Sequence, residues 1–206
     1  MTDPMRTDSA TAPKGTAVTT ETAPRRHWAR TVTDRWPTAL ALLAAAAIVL
    51  DSGGDGGIAP VIQLFPLLPL VYLVVAKLER PGATWPVVLV GAALIGVLRA
   101  TEVISPAAVL YGIALVVLVW GVVDGHSRGS GTFRLQALGM LAFGALGLVA
   151  LAVEPDLGRY LIAAGWFFHG LWDFWHLKTG KAVSRSYAEA CGVIDVLTGV
   201  GLLFMA

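Results

Sequence analysis

The chain has 206 residues and a formal net charge of +1, and it is 56% hydrophobic but only 14% charged. Soluble domains carry roughly 25% charged residues, so this chain has too few to cover a water-facing surface, and a soluble form would expose large apolar patches. No dense basic block points to nucleic acid, and a single cysteine, Cys191, excludes an internal disulfide framework.

Residues 1–35 are rich in Thr, Ala, Pro and Ser and have no apolar periodicity. Such a segment cannot bury enough surface to offset its ordering entropy, and the reading is a disordered polar tail. It ends in the basic collar Arg25-Arg26-His27-Trp28-Ala29-Arg30. Basic residues ahead of the apolar run Leu40–Leu50 also fit a signal peptide, and Arg25-Arg26 a twin-arginine signal. The long polar leader, and the lack of a strong small-x-small site before Asp51, favour a retained first span.

Residues 36–206 read as an all-α polytopic transmembrane bundle. About 20 apolar residues are needed to cross the hydrocarbon core. Seven candidate spans follow in chain order: Trp36–Ser52, Ile58–Ala76, Thr84–Thr101, Val103–Val123, Phe133–Val153, Leu157–Leu177 and Tyr187–Ala206. With the N-terminus cytoplasmic, one side holds Arg6, Lys14, Arg25, Arg26, Arg30, Arg35, Lys77, Arg80, Arg128, Arg134, Lys178, Lys181 and Arg185. The other side holds only Arg99 and Arg159. The positive-inside rule therefore places the C-terminus outside and the chain in the plasma (inner) membrane as a multi-pass protein. Trp36, Trp85, Trp120, Trp172 and Trp175 fall near the cytoplasmic ends, where indole rings favour the interface.

Within the spans, Pro60, Pro66 and Pro69 are expected to bend the second. The pairs Ala92/Gly96 and Gly144/Gly147 are expected to let helices approach closely. On the outer side, Arg99 and Glu102 have the spacing of a helix-surface ion pair, and with Asp51 and Asp55 they read as interfacial charges reaching water. Asp124 and His126 lie in a Gly- and Ser-rich loop and read as solvated, with Asp124 as a further carboxylate for a cytoplasmic cluster the alternative.

The stretch 165–176 is the most informative. His169, Asp173 and His176 stand at i, i+4 and i+7, on one face of a helix within an arc of about 60°. On the next span Asp195 and Cys191 share a face with Gly192, Thr198 and Gly199. If the two helices form a hairpin turning near residue 182, His169 lies level with Asp195 and Asp173 with Cys191. His176 then falls near Tyr187 and Ala188, and Glu189 points away from the Asp195 face.

Ionisable groups at membrane depth cost several kcal/mol unless paired or hydrated, so these residues are expected to face the bundle interior. Three readings are open. In the first, the cluster only locks helix packing in a structural or accessory membrane protein. In the second, His169, Asp173, His176 and Asp195 supply N and O ligands for Zn²⁺ or another divalent metal. Asp173 or Asp195 then serves as a catalytic general base in a hydrolase acting on a lipid-like substrate. The third is a small proton or ion transporter using the same side chains. Cys191 reads as a small hydrophobe, with ligand or nucleophile the alternative. No serine elbow, phosphate-binding glycine loop or dinucleotide fingerprint is present.

The segments His169-Gly170-Leu171-Trp172-Asp173-Phe174-Trp175-His176 and Arg185-Ser186-Tyr187-Ala188-Glu189-Ala190-Cys191-Gly192-Val193-Ile194-Asp195 resemble uncharacterised multi-pass membrane proteins of actinomycete-type bacteria. That likeness implies no activity. A weaker likeness is to the seven-span metal-dependent hydrolases that include alkaline ceramidases and progestin/adipoQ-type receptors, which imply zinc held by histidines near the cytoplasmic side. Their His-x3-His pair lies on the last helix. Here Asp173 stands at its second position, the pair is on the sixth span, and no matching Ser or His lies on the early spans.

Overall fold

The computed structural model describes residues 35–52 and 57–204. The expected tail, and Asp55, lie outside the described residues. Nine α-helices occur among those described: α1 Trp36–Ser52, α2 Ala59–Leu64, α3 Leu67–Leu78, α4 Thr84–Thr101, α5 Pro106–Val123, α6 His126–Gly129, α7 Gly131–Ala152, α8 Pro155–Thr179 and α9 Arg185–Leu203. A single 3₁₀ turn, Pro81–Ala83, precedes α4.

The helix ends follow local chemistry. Proline stands in the first turn of α2, α5 and α8, where its missing N–H costs nothing. The Ser130 hydroxyl caps α7 by accepting from the Phe133 N–H, and the Glu154 carboxylate caps α8 by accepting from the N–H groups of Asp156 and Leu157. Gly180 ends α8 at φ 64°, a left-handed position that glycine takes without a Cβ penalty. Between α2 and α3 the chain breaks at Phe65-Pro66, as the prolines of this segment predict, because Pro66 has no N–H to continue the helix.

Among the described residues, five segments are long and apolar enough to cross a membrane: Ala59–Leu78 (the broken α2–α3 pair), Pro81–Thr101, Pro106–Val123, Gly131–Ala152 and Arg185–Leu203. α1 is shorter, with 17 residues. α8 is the longest helix, with 25 residues, but its run of charged and histidine side chains keeps it out of that group.

Helix α3 is the centre of the bundle. Nearly all of it from Leu67 to Lys77 is buried, and it packs against α4, α5 and α7. Helices α8 and α9 form the expected antiparallel hairpin, and α1 lies against α9. α4 is peripheral: of its 18 residues only Thr84 and Ile95 are buried.

Polarity is distributed in reverse of a water-soluble domain. Large apolar side chains are widely exposed, with Val103, Phe204 and Val123 at 85%, 82% and 79%, whereas His169, Asp173, Asp195 and Thr198 are at 0%.

Three local expectations change. Gly144 and Gly147 do serve close packing, since a Cβ on Gly147 would meet the Tyr111 hydroxyl at 2.5 Å. Gly96, by contrast, faces open space and Ala92 is exposed, because α4 turns that face away from the rest of the chain. Glu102 is the left-handed C-cap of α4 (φ 52°), so it leaves the helical spacing that would place it over Arg99, and no ion pair forms between them. Asp124 and His126 are not simply solvated. Asp124 pairs with the buried Lys77, His126 Nδ1 lies 3.3 Å from the same ammonium, and the ammonium sits 4.3 Å from the centre of the Trp120 ring.

Candidate functional site

The polar centre begins with how closely α8 and α9 approach. A Cβ at Gly199 would stand 2.7 Å from both the Ala163 carbonyl oxygen and the Phe167 nitrogen, and one at Gly170 would stand 3.1 Å from the Gly192 carbonyl oxygen. Hydrogens at these positions let the two backbones touch, as small residues do between membrane helices. Side chains one or two turns along then meet directly.

His169 Nδ1 lies 2.7 Å from Asp195 Oδ2, the level pairing that the hairpin predicts. It also lies 3.3 Å from Asp173 Oδ2, one turn along its own helix. The hydroxyl of Tyr72, from α3, donates to Asp173 Oδ1 at 2.5 Å. Three helices therefore converge on one buried cluster. Ligand-type atoms of His169, Asp173 and Asp195 all lie within 4.8 Å of one another.

The cluster does not satisfy itself. His169 Nε2, Asp195 Oδ1 and the Thr198 hydroxyl are buried without a hydrogen-bond partner among the described residues, and Asp173 Oδ2 has only its 3.3 Å contact with His169 Nδ1. Buried polar atoms are paired in the great majority of cases, and each exception calls for an explanation. Aromatic rings enclose the imidazole: Phe143 and Tyr72 stand edge-on to His169 with centroids 4.9 and 5.7 Å away.

His176, the remaining candidate of the set, is not part of this group. Its Nδ1 faces the Trp172 carbonyl at 2.9 Å, which requires a proton on Nδ1 and leaves Nε2 to accept from the Gln136 amide at 2.8 Å. Its ring lies against Tyr72, centroids 4.8 Å apart. It borders a cavity of about 190 Å³ whose lining includes Gln136, Trp175, Thr179 and Lys181. Cys191 is buried on the α9 face that carries Asp195. Glu189 points elsewhere, accepting from Thr38 at 2.6 Å on α1.

Two partners escape a reading of the sequence, Tyr72 and Gln136. Each is a single polar side chain inside an otherwise apolar run, at Leu67–Ala76 and Ala137–Ala152 respectively, or at its margin. Lone polarity of that kind is the signal that could have found them.

What this arrangement can do chemically follows from its donor set and charge. One neutral imidazole and two carboxylates carry −2, which a single divalent cation or two protons would neutralise. Ligand atoms around a tetrahedral ion at 2.0–2.2 Å stand about 3.4 Å apart. The 3.3 Å separation from Asp173 matches that spacing, whereas the 2.7 Å separation from Asp195 is that of a hydrogen bond and has to widen to admit an ion. Tyr72 supplies Asp173 with the outer-shell hydrogen bond that ligating carboxylates usually have. His169 Nε2 has no such bond, and the ring is oriented by Phe143 and Tyr72 instead. Comparison of the chain with protein-family models, with curated proteins and with solved structures finds no match, so what the centre does is argued from its own residues.

Proposed function

We propose that the chain is a multi-pass protein of the plasma (inner) membrane that crosses it seven times and carries a buried metal centre. In this reading α1 and α8 join the five apolar segments as spans, with the N-terminus cytoplasmic and the C-terminus outside. The Lys and Arg asymmetry and the apolar exterior support it. For α8, polarity is no objection, because its His169, Asp173 and His176 are turned inward.

The centre takes up one divalent metal ion, with His169, Asp173 and Asp195 as protein ligands. The observation that carries this is a fully buried His/Asp/Asp cluster whose charge is not balanced within it and whose Asp195 Oδ1, His169 Nε2 and neighbouring Thr198 hydroxyl have no partner among the described residues. A cluster that served only to lock α8 on α9 would account for the His169–Asp195 bond but not for those orphans. Zn²⁺ suits one nitrogen and two oxygens with a fourth position left over. Full burial of all three ligands favours a structural ion in an accessory protein over a hydrolytic one, since a lipid-like substrate has to reach a catalytic metal.

Uptake of two protons satisfies the same charge count. It is favoured by one feature, the continuous polar contact Tyr72–Asp173–His169–Asp195. Elemental mass spectrometry of the detergent-purified chain separates the two. The metal reading expects near-stoichiometric Zn or another transition metal in the wild type and loss of it in a folded His169→Ala variant. An absence of metal in the wild type after supplementation rejects it and leaves proton uptake or packing.

A further inference from the structure

Away from the buried centre, a second site lies on the α2–α3, α4 and α5 side of the bundle. A cavity of about 400 Å³ opens at the end where α4 finishes and α5 begins. Its polar lining is Gln63 from α2, Arg99 and Glu102 from the end of α4, and Ser105 just before α5. No hydrogen bond or ion pair ties these four side chains to other described residues. Among the described residues the cavity thus presents one unpaired cation, one unpaired anion and two neutral hydrogen-bonding groups.

Below it runs a trough of about 370 Å³ between α3, α4 and α5, lined only by apolar residues and glycine, among them Leu67, Leu94 and Leu110. The two spaces share walls. Gln63 and Leu67 are four residues apart, as are Leu94 and Leu98, and Pro106 and Leu110. On each wall the polar cavity therefore gives way to the trough within one helical turn. Along α4 the lining runs from Pro86 to Leu98, about 18 Å at 1.5 Å per residue. That is more than one leaflet of a hydrocarbon core about 30 Å thick, enough for an extended acyl chain, and the trough continues to Leu78 and Ala83 at the far end of the segment.

We infer that this cleft is a binding site for a zwitterionic aminophospholipid of the outer leaflet. Arg99 takes the phosphate, Glu102 the ammonium, Gln63 and Ser105 the ester and phosphate oxygens, and the trough one acyl chain. Charges that merely reach for water would explain Arg99 or Glu102 singly. They do not explain why an apolar trough long enough for an acyl chain begins one turn below both. The inference rests on the membrane topology proposed above and is independent of the metal centre.

The test uses native mass spectrometry of the full chain, purified in detergent and offered equimolar phosphatidylethanolamine and phosphatidylglycerol with the same acyl chains. The expected result is retention of phosphatidylethanolamine over phosphatidylglycerol by about tenfold, the worth of one charge-assisted contact. Arg99→Gln/Glu102→Gln abolishes the preference. Val90→Trp, at an exposed position that lines the trough, lowers retention of both lipids. All three positions are on the surface, so unchanged melting curves are expected to accompany these losses. Equal retention of the two lipids, or a preference for phosphatidylglycerol, overturns the site, as does wild-type behaviour in the variants. Metal content read on the same samples reports on the buried centre separately, so either proposal can fail without the other.

Discussion

At the scale of single residues, burial decides which changes matter. Asp195 is fully buried and holds His169 in place, so Asp195→Ala leaves the buried imidazole Nδ1 without that partner. Losing a buried hydrogen bond to a charged group costs about 1.5–3 kcal/mol, and thermal melting in detergent should register a loss of that order. Tyr72→Phe removes only the hydroxyl bond to Asp173. Hydrogen bonds between membrane helices are worth about 1 kcal/mol, so this variant should melt slightly lower while keeping its fold. The Lys77–Asp124 pair is asymmetric in burial, with side chains 4% and 30% exposed. Lys77→Met should therefore cost within about 1 kcal/mol, because an apolar chain of similar length fills the site and Asp124 turns to water. Asp124→Ala strands the ammonium and should cost more. Equal melting temperatures for the two variants would contradict this account of the pair.

At the scale of helices, the centre depends on how near α8 and α9 lie. Gly199→Leu places a side chain against the backbone of Ala163 and Phe167, where nothing can yield cheaply. It should separate the hairpin and cost bound metal although no ligand is altered. Gly96→Leu, on the open face of α4, is the matched control and should change neither melting nor metal content.

The same contrast explains what could be read from the chain beforehand. Helical periodicity put His169 and Asp173 on one face, and a short turn put Asp195 level with His169, because both depend on near neighbours or a compact hairpin. Tyr72 is 101 residues from Asp173, and Gln136 is 40 from His176. Which helix lies beside which is set by packing of the whole bundle, and nothing in the local pattern announces it. For the same reason Gly96 and Gly147 look alike in sequence, yet only Gly147 meets a neighbour.

At the scale of the molecule, hydropathy defines the elements well. α1 and α4 begin and end where the apolar runs do, at Trp36–Ser52 and Thr84–Thr101. Polarity of α8 and shortness of α1 are what separate five apolar spans from the proposed seven. Cysteine labelling in intact cells distinguishes the counts. In a Cys191→Ser background, Asp156→Cys should react with a membrane-impermeant maleimide and Lys181→Cys should not, whereas failure of α8 to cross would put both on one side. Whether the buried centre holds an ion is read by X-ray absorption at the zinc edge on the zinc-loaded, purified chain. Only nitrogen and oxygen neighbours at about 2.0–2.2 Å are expected, with the signal lost in Asp173→Asn/Asp195→Asn. A sulfur neighbour at about 2.3 Å, which would implicate Cys191, or a zinc spectrum unchanged by that double substitution, would contradict the proposed metal centre.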